Sequence, residues 1–260
     1  MRNATRSLGL LFVSFTVLLG VVAPAGAEDG VGVVDERTGE WYLRDPSSGE
    51  TTSFYYGNPG DRPFVGDWDC DGTETPGLYR QSDGYVYLRN ANSQGVADRE
   101  FFFGNPGDIP LAGDFDGDGC DTVSIYRPSQ ARVYLMNHLG DGADGLGAAD
   151  DSFVFGNPGD QPFVADFDGD DTDTVGLHRA ATGLVYYRNT NTTGVAHASF
   201  IYGNPGDLMV AADWNGNGAE SVGLFRPGRG RFYLRFTNSA GTANAEIPWG
   251  NTTWLPVAGS

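Results

Sequence analysis

The sequence predicts an all-β protein, a five-bladed β-propeller built from four-stranded blades of about 47 residues. Three observations predict it. The pentapeptide Gly-Asn-Pro-Gly-Asp begins at Gly57, Gly104, Gly156 and Gly203, and a worn copy begins at Gly250, so the spacings are 47, 52, 47 and 47. Between these marks each unit holds four short runs of Val, Phe, Tyr and Leu bounded by Gly, Asn, Pro and Asp. That is strand composition with turn punctuation, and no amphipathic helical period competes with it. The two ends of the chain are complementary halves of one unit.

Residues 1–27 come first and are set apart. Arg2 and Arg6 precede the apolar run Leu8–Val22, and Ala25-Gly26-Ala27 follows as a small-residue cleavage site. The run is shorter than the ~20 residues a spanning helix needs. The pattern is that of a secretory signal peptide cleaved after Ala27, so the expected location is extracellular. The mature propeller is then 28–260.

The mature part opens inside a unit. "GVGVV" at Gly30 matches "PGLYR" at Pro76, and "GEWYLRD" at Gly39 matches "GYVYLRN" at Gly84. The first full unit then reads in order: "PFVGDW" (Pro63–Trp68), an acidic loop, "PGLYR" (Pro76–Arg80), the turn "QSDG", "YVYLRN" (Tyr85–Asn90), a polar loop, and "REFFFG" (Arg99–Gly104). Three more units repeat this order. The five extra residues of the second fall in the Gly- and Asp-rich stretch Asn137–Asp151. The chain ends on "WLPVAGS" (Trp254–Ser260), which matches the first strand of a unit. That strand supplies what the opening unit lacks, so strands from both termini complete the fifth blade, tie the ring shut and protect its edges. An open solenoid would leave the matching half-units unexplained.

Charge narrows the partners. The chain carries 34 acidic residues against 16 basic ones, all Arg, for a net charge of −18. Loss of Arg2 and Arg6 with the leader makes it −18 − 2 = −20. Nucleic acid and anionic membrane both require a basic face and are not expected as partners. A soluble monomer that binds cations fits the balance.

The acidic loops carry the chemistry. Aligned by unit they read Asp67–Thr75, Asp114–Thr122, Asp166–Thr174 and Asp213–Ser221. Loop positions 1, 3 and 5 are Asp67, Asp69 and Asp71; Asp114, Asp116 and Asp118; Asp166, Asp168 and Asp170; Asp213, Asn215 and Asn217. Position 7 is Thr73, Cys120, Thr172 or Ala219, where the backbone carbonyl is the donor offered. Position 8 is always acidic: Glu74, Asp121, Asp173 and Glu220. Clustered carboxylates repel one another unless a cation joins them. Ca²⁺ takes about six to eight oxygens from carboxylates, amides and carbonyls. Thiolate and imidazole sets are missing, so zinc is not favoured. Up to four Ca²⁺ are expected, with the Asn-bearing fourth loop weakest and the third strained by Asp171 where the others have Gly.

Phe103-Gly104 and Phe155-Gly156, each followed by a strand and then Asp-x-Asp-x-Asp, resemble the FG-GAP (VCBS) repeats of integrin-α-like propellers and their bacterial relatives. Tyr56-Gly57, Tyr202-Gly203 and Trp249-Gly250 are variants of the pair. The resemblance spans residues 28–260. It implies Ca²⁺ in the loops joining the first and second strands of a blade. Two features differ: the last acid stands at loop position 8 instead of 9, and the units number five instead of seven.

Other recurring residues read as structural. Gly-Asn-Pro-Gly-Asp is a turn between blades, and the aromatics before it pack between blades. Arg80, Arg127, Arg179 and Arg226 end the second strand and are expected to pair with loop carboxylates. Arg44, Arg89, Arg188 and Arg235 end the third. Cys70 and Cys120, on neighbouring loops, can form one disulfide if their Cα atoms come within ~7 Å. Asn191-Thr-Thr matches a glycosylation pattern that is short enough to arise by chance. No nucleophile elbow, zinc-protease helix or phosphate loop is present, so a non-enzymatic secreted module that binds an extracellular protein or glycan is expected. A multivalent lectin is the alternative, ahead of a glycosidase-like enzyme with carboxylates near the axis.

Overall fold

A computed structural model describes residues 28–140 and 145–259. The signal-peptide reading lies outside the described residues. The described chain forms twenty strands in five four-stranded antiparallel sheets. The opening half-unit gives β1 (Gly30–Asp35), β2 (Glu40–Arg44) and β3 (Thr51–Tyr55). Blade 1 follows with β4 (Asp61–Gly66), β5 (Thr75–Arg80), β6 (Tyr85–Leu88) and β7 (Arg99–Phe102). Blade 2 has β8 (Ile109–Gly113), β9 (Thr122–Arg127), β10 (Arg132–Leu135) and β11 (Asp151–Val154). Blade 3 has β12 (Gln161–Ala165), β13 (Thr174–Arg179), β14 (Leu184–Tyr187) and β15 (Ala198–Ile201). Blade 4 has β16 (Leu208–Ala212), β17 (Ser221–Arg226), β18 (Arg231–Leu234) and β19 (Ala245–Ile247).

The fifth blade closes the ring as the half-units require. β20 (Leu255–Gly259) pairs antiparallel with β1, from Gly30 opposite Gly259 to Val34 opposite Leu255, and the sheet order is β20-β1-β2-β3. The innermost strands β4, β8, β12, β16 and β20 touch one another in sequence around the axis. The far end of that axis holds a cavity of about 180 Å³ whose wall includes Pro63, Pro110, Pro162, Met209 and Pro256.

The apolar core is divided into five, one between each pair of adjacent blades. This follows from the pattern of the second strands. In β5, β9, β13 and β17 the first five residues are all buried, because both faces of each sheet are covered by a neighbour. Tyr56, Phe103, Phe155 and Tyr202 are buried in these layers, as the sequence predicts. The long loop of blade 2 also serves packing. It lies along the outer edge of blade 1, where Phe102 exchanges backbone hydrogen bonds with Gly145 (2.7 Å) and Gly147 (2.7 Å). An exposed strand edge is thereby covered.

The arginines at the ends of the second strands pair differently from expectation. Arg80, Arg127, Arg179 and Arg226 bind Asp61, Asp108, Asp160 and Asp207, the last residue of each Gly-Asn-Pro-Gly-Asp turn, at 2.7–2.9 Å. The acidic loops are at the opposite end of the same strand, out of reach. Each of these Asp side chains also accepts the backbone N–H of its turn's Asn, and each Arg stacks on a tyrosine of the third strand. The second arginine series is structural as well: Arg89 and Arg235 donate to carbonyls of the loop that follows them.

Candidate metal centres

Each acidic loop leaves the inner strand, curls around its own first side chain and enters the second strand. The Asp114 carboxylate accepts N–H bonds from Gly117, Asp118 and Gly119. Asp67, Asp166 and Asp213 do the same in their loops. The curl needs two left-handed residues, at loop positions 4 and 6. Gly fills most of them, but Cys70 (φ 62°) and Asp171 (φ 63°) adopt the same conformation. The requirement at position 4 was visible in the sequence as Gly117, Gly169 and Gly216, though the clue lay in the backbone and not in the ligand pattern.

The curl brings together what the spacing predicts. Asp67, Asp69 and Asp71 place one oxygen each within 4.8 Å of the others, and so do Asp114, Asp116 and Asp118, and Asp166, Asp168 and Asp170. Asp213, Asn215 and Asn217 curl in the same way, with amides at two places. Position 5 also accepts the N–H of position 7, at Thr73, Cys120, Thr172 and Ala219. Desolvation within the curled loop and the charges of Asp118 and Asp114 push the exposed Asp116 carboxyl above its ordinary range. An all-oxygen set on an exposed loop with two tight turns fits a hard divalent cation. Below the loop, the ring at position 2 locks the fold: the indoles of Trp68 and Trp214 donate to the carbonyls of Thr75 (3.1 Å) and Ser221 (2.7 Å).

Position 8 is placed apart from its own trio. The Asp121 carboxylate accepts the backbone N–H of Asp67 in the preceding blade (2.9 Å), and the Asp121 N–H donates to the Asp67 carbonyl (3.0 Å). Asp173 makes the same two-way clasp with Asp114, Glu220 with Asp166, and Asp29 with Asp213. The side chains of Asn92, Asn191 and Asn238 hold the position 8 carbonyls of Glu74, Asp173 and Glu220. That use of Asn191 gives it a structural role. Burial pushes Asp29 and Asp121 up to about 6 and Glu220 up to about 8, and it raises Asp173 and Glu74 well above the carboxylate range. Sequence reading found these acids but not their direction, and it missed Asp29 altogether.

Cys70 and Cys120 form a disulfide with Cα atoms 4.7 Å apart, joining position 4 of the first loop to position 7 of the second. The repeat breaks at the seam between the closing blade and blade 1, where a pocket of about 670 Å³ is lined by Val31, Gly32, Leu43, Glu74, Asn92 and Val257, among others.

No family model matches the chain, and no curated protein matches it. Among solved structures, it is similar to a protein of unknown function from Bacteroides caccae, with 12% identity, a TM-score of 0.46, and 85% of this chain and 73% of that chain covered. It is also similar to BBS1N crystallised with ARL6DN (11% identity, TM-score 0.41), covering 75% of this chain and 60% of that one. Apo AztD from Citrobacter koseri gives 11% identity and a TM-score of 0.39, with 89% of this chain and 98% of that chain covered. The chain thus spans less than two thirds of the BBS1N chain, and at such identities these likenesses carry no statement about function.

Proposed function

We propose that this protein is a secreted, non-enzymatic binding or adhesion module whose propeller is stabilised by calcium. The observation that carries this reading is the repeated gathering of oxygens at loop positions 1, 3 and 5, in register between the same two strands of three blades. A solvated acidic turn has no reason to recur with the same backbone curl. Asp69, Asp71, Asp116, Asp118, Asp168 and Asp170 would supply the exposed ligands, and the curl holds them in place. The calcium is structural, since it sits where adjacent loops are stitched by the position 8 clasp. The partner would be an extracellular protein or glycan, bound on the face opposite the loops.

Isothermal titration of Ca²⁺ into chelator-treated protein tests the reading. Three sites should fill before a weaker fourth, because the fourth loop has one carboxylate in its trio against three in the others. Absence of a binding signal at millimolar Ca²⁺ would end it. Glycan-array screening separates a lectin from a protein-binding module: reproducible binding to one sugar class selects the lectin.

A further inference from the structure

The four position 8 acids and Asp29, their counterpart just before β1, do not belong to the loop trios. Asp29, Asp121, Asp173 and Glu220 each grip the residue that directly follows a neighbour's innermost strand, the Glu74 carboxylate lies against Gly259 at the end of β20, and the innermost strands surround the axis. Asp29, Glu74, Asp121, Asp173 and Glu220 therefore gather around one end of the propeller axis, one from each blade. They are close enough that Glu74 feels the charges of the other four. The leading charges acting on each of them are other carboxylates.

Four of the five spend one oxygen on the clasp, and their second oxygen takes no hydrogen bond from a described residue. The fifth is the independent pointer to a ligand. Glu74 Oε2 is shut off from solvent and has no hydrogen-bond partner among the described residues. A buried carboxylate that nothing satisfies is costly unless it is protonated or meets a cation. Here the unsatisfied Glu74 carboxylate stands in a ring with four more acids, each of which has one oxygen held by a backbone N–H. No three of them bring oxygens as close together as the loop trios do, so a bare ion held directly by several carboxylates does not fit. An ion that keeps part of its water shell does fit, since Mg²⁺-like cations dehydrate reluctantly and are often held through their waters. Glu74 also lines the seam pocket, which gives such an ion a way in from solvent.

We propose that Asp29, Glu74, Asp121, Asp173 and Glu220 form a second class of metal site, which holds one hydrated divalent cation at the loop end of the propeller axis. The site draws one carboxylate from every blade, so its ion ties the whole ring instead of a single loop. It does not depend on the loop sites being filled.

The test uses Mn²⁺, whose anomalous scattering locates it directly. Crystals of the full mature chain grown with millimolar Mn²⁺ should show one peak on the axis, apart from any peaks in the loops. Glu74→Gln keeps the shape and breaks no clasp, so it should fold. Its crystals should lack the axial peak, and in solution it should bind one Mn²⁺ fewer per chain than wild type. An axis without a peak in wild-type crystals overturns the proposal, whether or not the loops are occupied. An axial peak and a stoichiometry both unchanged in Glu74→Gln overturn it as well. An axial peak with empty loops would instead count against the loop-calcium reading alone.

Discussion

His178 shows what a single residue contributes when it leaves the repeat. It stands where blades 1, 2 and 4 carry Tyr79, Tyr126 and Phe225, it is fully buried, and neither ring nitrogen has a hydrogen-bond partner among the described residues. Burial lowers its pKa and holds it neutral. An unpartnered buried polar group costs about 1–3 kcal/mol. His178→Phe, which restores an apolar ring, should raise stability by roughly 1 kcal/mol in urea unfolding; a lower midpoint would count against this account. The position 8 acids give a pH dependence of definite sign. Their folded pKa values lie above ordinary carboxylate values, so between pH ~4 and ~8 the folded state binds more protons than the unfolded one. Metal-free protein should therefore lose stability as pH rises from about 5 to about 8, and the loss is complete only above about 8, to which burial raises Glu220. Glu220→Gln, whose amide oxygen can still accept the Asp166 N–H, should flatten that slope. An unchanged slope would contradict the assignment.

At the scale of the element, the acidic loop and the interblade turn each have a test. Asp116→Ala removes a carboxylate from a full trio, whereas Asn215→Ala removes an amide from the weakest loop. The first should lose more of the Ca²⁺-induced rise in melting temperature, and the reverse order would refute the ranking of the loops. Asp108→Ala strips Arg127 of its partner and frees the Asn105 N–H. Because Arg127 is partly exposed, the cost should be about 2–3 kcal/mol, below the ~3–5 kcal/mol of a fully buried pair. The loop trios were legible in the sequence because positions 1, 3 and 5 are local: the curl that unites them is set by the loop's own residues. The clasp was not. Its partners are 54 or 59 residues apart, and Asp29 and Asp213 are separated by 184. The arginine partners went astray for a related reason. Two acidic groups flank each second strand, one at either end, and composition alone does not say which end the guanidinium reaches.

For the whole molecule, the repeat spacing and the complementary half-units gave the blade number and the closure, because ring topology is written in sequence period. What the period could not give is where symmetry fails. The insertion of blade 2 turns out to cover an edge of blade 1, and the seam carries a pocket found by assembling the ends. The disulfide adds a second tie between blades 1 and 2. It closes a sequence separation of 50 residues, which in the chain-entropy view is worth about 4 kcal/mol. Replacing both Cys70 and Cys120 by Ser should lower stability by ~2–4 kcal/mol without changing the fold, as read by chemical unfolding and circular dichroism.

The central claim is that cations bound by the acidic loops stabilise a ring closed by both ends of the chain. Thermal melting of the mature protein in millimolar Ca²⁺, against the same protein in excess chelator, tests it most directly. A ligand that binds only the folded state must raise the melting temperature, so a rise of several degrees that grows with Ca²⁺ concentration is predicted. Superimposable melting curves in calcium and in chelator would contradict it.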